Sequence, residues 1–125
     1  MKRGLLLFAH GARDPRWAAP FEAVAARVRA RAPGVDVQLA FLELMAPDLP
    51  EAGRALAAAG CERVDVVPLF LGTGGHVRKD LPALVEALAA TWPAVRWQLR
   101  TAVGEAPLVI DAMADVALAC TEFPD

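Results

Sequence analysis

Residues 5–43 read LLLFAHGARDPRWAAPFEAVAARVRARAPGVDVQLAFLE, and the alternation within this stretch decides the fold. Leu5 to Ala9 is a short, wholly apolar run, the pattern of a strand covered on both faces. The segment GARDPR breaks it. Trp17 to Arg31 then has helical period, with Phe21, Val24, Ala25 and Val28 on one face, and Ala32, Pro33 and Gly34 end it. Val35 to Leu42 is a second strand. Strand, helix and strand in this order make a crossover unit with parallel strands.

The unit recurs along the chain. A helix is expected over Leu49 to Ala59, N-capped by Asp48 and stopped by Gly60. Arg63 to Leu71 (RVDVVPLFL) is the third strand, although Pro68 removes one ladder donor from it. The loop GTGGHVRKD follows, then a helix over Leu81 to Thr91 with Asp80 as N-cap and Pro82 in its first turn. Val95 to Val103 alternates apolar and polar residues, as a fourth strand with one face toward solvent. Pro107 to Cys120 is a last helix, and residues 121–125 are a flexible tail. The expectation is a single α/β domain over residues 1–125. It has a small parallel sheet of four strands, with helices on both faces.

Composition agrees with a packed domain. Hydrophobic residues make up 56% of the 125 and charged residues 22%, which supplies a core and argues against disorder. A net charge of −2 without a basic run argues against nucleic acid as a partner. No apolar segment approaches the roughly 18 residues of a membrane span, and the short apolar run after Met1-Lys2-Arg3 lacks the features of a secretion signal. The expected location is the cytoplasm. Cys61 and Cys120 belong to no C-x-x-C pair and are expected as two buried, reduced thiols. Trp17, Trp92 and Trp97 are expected in packing, and Phe41, Phe70 and Leu71 in the core or in an apolar pocket wall.

Ligands of open α/β sheets bind outside the carboxyl ends of the strands. Both histidines of the chain fall there: His10 directly after the first strand and His76 in the loop after the third. Glu43 follows the second strand. The three are spaced evenly, 33 residues apart, about the length of one unit. Two imidazoles and a carboxylate on one rim make a candidate site for a divalent metal, with positions left open for a substrate. The plain alternative is two hydrogen-bonded turn histidines and a solvated glutamate. The glycines of GTGGH allow three readings: a tight loop needing positive φ, a phosphate cradle, or bare backbone that admits a flat ligand. Neither of the nucleotide-binding glycine motifs is present. Arg13, Arg16, Arg78 and Lys79 lie near the same rim, either meeting carboxylates of an acidic substrate or simply solvated.

Three segments carry a resemblance to a known family: AHGARDP at residues 9–15, AFLELMAPDLPEA at 40–52 and VVPLFLGTGGHVRKDLP at 66–82. In order and spacing, over about Leu5 to Leu84, the chain resembles the short-form sirohydrochlorin chelatases of the CbiX type. The resemblance implies ATP-independent insertion of a divalent metal into sirohydrochlorin. Co²⁺ would serve cobalamin synthesis, and Fe²⁺ would make sirohaem. It implies His10 and His76 as metal-binding histidines and Glu43 as the acidic residue beside them, with one of the three as proton acceptor. Such a macrocycle, rich in carboxylates, would give Arg13, Arg78 and Lys79 a purpose, and a floor of Gly72, Gly74 and Gly75 would admit it. No permanently bound cofactor is implied, because the metal is a substrate. The short form spans half of the two-domain chelatases, which implies a homodimer whose halves face one cleft. Two other classes compete. Histidine phosphatases share a histidine-glycine pair after the first strand, but they place arginine where this chain has Ala9. A non-enzymatic carrier of metal or tetrapyrrole would use the same ligands.

Overall fold

Four parallel strands lie in the order β2-β1-β3-β4 in the computed structural model, which describes residues 1–72 and 74–122. They are β1 (Arg3–Ala9), β2 (Val35–Phe41), β3 (Arg63–Pro68) and β4 (Arg96–Leu99). The helices between and after them are α1 (Ala19–Arg31), α2 (Leu49–Ala58), α3 (Gly75–Thr91) and α4 (Pro107–Ala119). Short 3-10 turns precede α1, at Pro15–Ala18, and α4, at Val103–Glu105. The expected α/β class and the parallel sheet with helices on both faces are found as read.

The alternation of side chains along each strand sets the layers. Leu6, Phe8, Ala40, Val64 and Val66 face α2 and α3 and form the larger core with Leu49, Leu56, Leu81, Val85 and Leu88. Leu5, Leu7, Val35, Val37 and Val67 face the other way, toward Ala25 and Val28 of α1. The strand β1, central and wholly apolar from Leu5, is buried from both sides. Trp92 and Trp97 pack on the larger core, and Trp17 packs beside Phe21 and Phe41. Val24, expected on the inner face of α1, is partly exposed at 38%. Asp48 caps α2 as expected, its carboxylate accepting from the Glu51 N–H at 2.9 Å.

Several expected boundaries shift, each for a local reason. β3 stops at Pro68, because proline has no N–H with which to continue the ladder. β4 is shorter than expected and ends at Leu99. Helix α3 starts at Gly75, six residues before the expected start, so Asp80 is not its cap and Pro82 lies inside it. The apolar stripe of Leu81, Val85 and Leu88 continues backward at helical spacing to Val77, which packs on the same core. That extra turn outweighs the one hydrogen bond Pro82 cannot make. Cys61 is buried as expected, but Cys120 is exposed; both are free thiols.

Candidate functional site at the carboxyl rim of the sheet

β1 delivers His10 to the rim, and the backbone around it leaves little freedom. The Leu42 N–H donates to the Ala9 carbonyl at 2.8 Å, and the Glu43 N–H donates to the His10 carbonyl at 3.1 Å. The end of β2 is thus stitched to the end of β1 for two residues beyond the strands. Gly11 makes this possible. Its φ is +93°, and a Cβ there would lie 1.9 Å from the Glu43 carbonyl oxygen. The glycine after His10 is therefore demanded by the approach of the Glu43 backbone.

The His10 ring rests on Phe70. The two rings are 4.0 Å apart between centroids and inclined by 25°. Phe70 itself is buried at 1% exposure and meets Phe8 at 6.0 Å. Two backbone bonds hold the segment that carries it: Leu69 N–H to the Phe8 carbonyl at 2.7 Å, and Gly104 N–H to the Phe70 carbonyl at 2.9 Å. A half-buried imidazole stacked on a core phenyl ring presents its edge, where both nitrogens lie, rather than its face.

Glu43 has an exposed side chain at the head of a tightly folded loop. The Phe41 N–H reaches the Pro47 carbonyl at 2.9 Å, the Ala46–Pro47 peptide is cis, and Leu44 has φ +66°. Leu44, a non-glycine residue in the left-handed region, is 60% exposed. Leu71, on the neighbouring loop, is 67% exposed. Two large apolar side chains therefore flank the rim in the open. The sequence marked Leu71 as a core or pocket residue and did not mark Leu44.

The remaining candidates fall on or beside α3. The backbone of His76 lies in its first turn rather than in a loop; its side chain, like the whole of Thr73, lies outside the described residues. Gly72, Gly74 and Gly75 have negative or extended backbone, and among the described residues a Cβ on any of them would meet nothing within 4 Å. The reading as a turn needing positive φ is thereby removed. Two readings are left, a phosphate cradle and bare backbone bordering open space. Arg78 and Lys79 are exposed on the first turns of α3, and Arg78 pairs with Glu105 at 3.8 Å. Arg78 also lines an open cleft of about 400 Å³ with Pro68, Leu99, Arg100, Thr101 and Glu105. The stretch Arg100-Thr101, read as strand from the sequence, is part of this rim. Arg13 is exposed on the loop after β1. Arg16 is engaged elsewhere: it grips Asp14 at 2.9 Å, which holds the Asp14 carboxyl below its ordinary range and raises the guanidinium.

The structure thus brings His10 and Glu43 together through their backbones and sets the start of α3 on the same rim. Among the described residues, no three His, Cys, Asp or Glu side chains cluster to hold a metal ion.

The arrangement matches known proteins. The CbiX family model matches residues 4–118. The sirohydrochlorin cobaltochelatase of Methanothermobacter thermautotrophicus is 36% identical over 84 residues, 67% of this chain and 58% of that protein. The chain therefore spans less than two thirds of the length of that relative. A putative cobalamin biosynthesis CbiX protein from Marinobacter aquaeolei superimposes with a TM-score of 0.85 at 34% identity, over 96% of this chain and 98% of the other. The sirohydrochlorin chelatase SirB from Bacillus subtilis subspecies spizizenii, solved in complex with cobalt, superimposes at 0.80 and 27% identity, over 94% of this chain but only 52% of its own. With the family match running through all four strands and all four helices, this chain belongs to the CbiX family.

Proposed function

We propose that the protein is a sirohydrochlorin chelatase that inserts a divalent metal, Co²⁺ in the first instance, into the macrocycle without ATP. The observation that carries this is the joining of His10 and Glu43 at one rim of a CbiX-family sheet, with the His10 ring stacked on Phe70. His10, Glu43 and His76 are the proposed metal ligands. Imidazole and carboxylate hold Co²⁺ or Fe²⁺ loosely enough to release it to four pyrrole nitrogens. Insertion frees two protons from the macrocycle: a rim residue of this set accepts one as the metal leaves, and the other passes to water. The open backbone at Gly72, Gly74 and Gly75 gives clearance for a flat ring, and exposed Leu44 and Leu71 offer it apolar contact. Arg13, Arg78 and Lys79 are the proposed partners of its carboxylates.

The reading includes a single domain, no resident cofactor, a cytoplasmic location and a homodimer in which a second copy supplies the other wall of the cleft. The cobalt-bound relative, about twice as long, supports the last point. No helix among the described residues is long and apolar enough to cross a membrane. The test follows absorbance as purified protein, sirohydrochlorin and Co²⁺ are mixed anaerobically, with Fe²⁺ in a parallel arm. Acceleration over the uncatalysed reaction that is lost in His10→Ala and His76→Ala is expected. Tight one-to-one binding with no acceleration would instead make the protein a carrier.

A further inference from the structure

Helix α4 lacks the support that a helix of its length needs. Its 13 residues carry Leu108, Val109, Ile110, Met113, Val116 and Leu118, yet none of its residues is buried. Leu108 is 81% exposed and Val116 67%. Among the described residues its substantial packing is with the short turn Val103–Glu105 from which it departs. A helix of about three and a half turns is marginal alone in water, and its stability comes from burying an apolar face. An apolar open groove along Leu108, Val109, Ala112, Met113, Val116 and Ala117 marks the face that awaits a partner.

The same chain leaves a sheet surface uncovered. α1 packs on β2, whereas α2 and α3 occupy the opposite face. On the α1 side of β3 and β4, the strand register places Arg63 beside Arg96 and Asp65 beside Gln98. Arg96, Gln98 and Arg100 are exposed there, Arg63 and Asp65 half-buried, and no helix of the described residues packs substantially on them. Arg63 Nε is buried without a hydrogen-bond partner. Asp65 is shared between Arg100, at 2.8 Å, and Arg63, at 3.7 Å, so the surface holds three arginines against one carboxylate. The only charged residues of α4 are Asp111 and Asp115, one turn apart on one edge of the helix. An apolar helix with an acidic edge and a sheet surface with Val67 and surplus arginine are complementary in both apolarity and charge.

We propose that α4 is an exchanged helix: in a homodimer it packs across the β3–β4 surface of the second copy, with Asp111 and Asp115 toward that copy's arginines. The proposal rests on the chelatase reading in taking the partner to be a second copy, supported by the cobalt-bound relative of about twice this length. It also adds a geometric consequence. α4 leaves the chain just after Gly104, whose missing Cβ makes room for the Leu71 carbonyl at the rim. The exchanged helix therefore starts from the site itself and draws the second copy against it.

The test uses the full chain with Cys120→Ser, carrying Gln98→Cys and Asp115→Cys together. Mild oxidation should give a disulfide-linked species of twice 13.3 kDa on a non-reducing gel, from a protein whose light-scattering mass is already twice that value. A disulfide closed within one chain would show α4 folding back on its own sheet, and a linked dimer from Asp115→Cys alone would show α4 pairing with α4; either overturns the proposal, as does a monomeric mass. Charge reversal provides an arm free of disulfide chemistry. Asp111→Arg with Asp115→Arg should raise the dimer Kd about tenfold, and Arg96→Asp in the same chain should recover part of it. A dimer indifferent to both would also overturn the exchange. Because these readouts are mass and linkage, a dimer that inserts no metal refutes the chelatase activity alone, and an active monomer refutes the exchange and the shared cleft while leaving the chelatase activity standing.

Discussion

The His10 imidazole and the Phe70 phenyl ring are stacked 4.0 Å apart, 25° from parallel. A core side chain thereby fixes the orientation of a rim side chain. Phe70→Leu keeps most of the buried volume but removes the flat surface beneath the imidazole. The expected result is a melting temperature lowered by a few degrees, with insertion slowed about tenfold. Phe70→Ala would confuse the two effects, since truncating a buried phenylalanine costs about 3–5 kcal/mol. Calorimetry and the insertion assay on the leucine variant check the prediction.

Gly11→Ala attacks the joint between the first two units. The added methyl would meet the Glu43 carbonyl at 1.9 Å, in a backbone conformation that itself disfavours alanine. A loss of about 2 kcal/mol or more in urea unfolding is expected, together with near-complete loss of insertion activity. Unchanged stability would mean that the two loops are not joined as described.

Gly75→Ala should behave in the opposite way. Among the described residues beyond its chain neighbours, no atom lies within 4 Å of the added methyl, and alanine is the better helix former at the start of α3. Stability should hold or rise by up to about 1 kcal/mol, while KM for sirohydrochlorin rises if the macrocycle passes over this backbone. Leu44→Gly forms a companion test. Relieving φ +66° should leave the fold at least as stable, and losing an exposed apolar contact should weaken the macrocycle without changing Co²⁺ binding.

Cys61 gives a pH-dependent prediction. Burial raises its thiol pKa above 9.0, with Asp36 adding to the shift and Lys2 opposing it. The folded state therefore favours the neutral thiol more than the unfolded chain does. The stability this contributes is complete below the unfolded pKa and falls as pH rises through the folded one. Urea midpoints should decline above about pH 9 and decline less in Cys61→Ala. An equal decline in both proteins would rule out Cys61 as the cause.

Much of this was legible in the chain, where the signal was periodic. The apolar run at Leu5–Ala9 and the alternating stretch at Val35–Phe41 are strands, and Asp48 caps α2, because short-range pattern and chemistry determine both. The failures lie where a long-range contact decides. Val77 draws α3 six residues upstream of the expected start, and nothing in GTGGHVRKD announces it without knowledge of the core it joins. The sequence marks Phe70 as core or pocket wall, yet its role beneath His10 depends on where two separate strands end. Nothing beside Gly11 in the sequence gives the reason for it, because that reason, the Glu43 carbonyl, is 32 residues away. Helix α4 was placed correctly, but its lack of cover is a property of the folded chain that no periodicity reveals.

Under the proposed exchange, the bareness of α4 makes part of this protein's order a bimolecular quantity. A helix its own sheet does not stabilise has a population governed by mass action. Dilution should fray α4 before it disturbs the sheet, so the abundance of the protein helps to set how much of each molecule is folded.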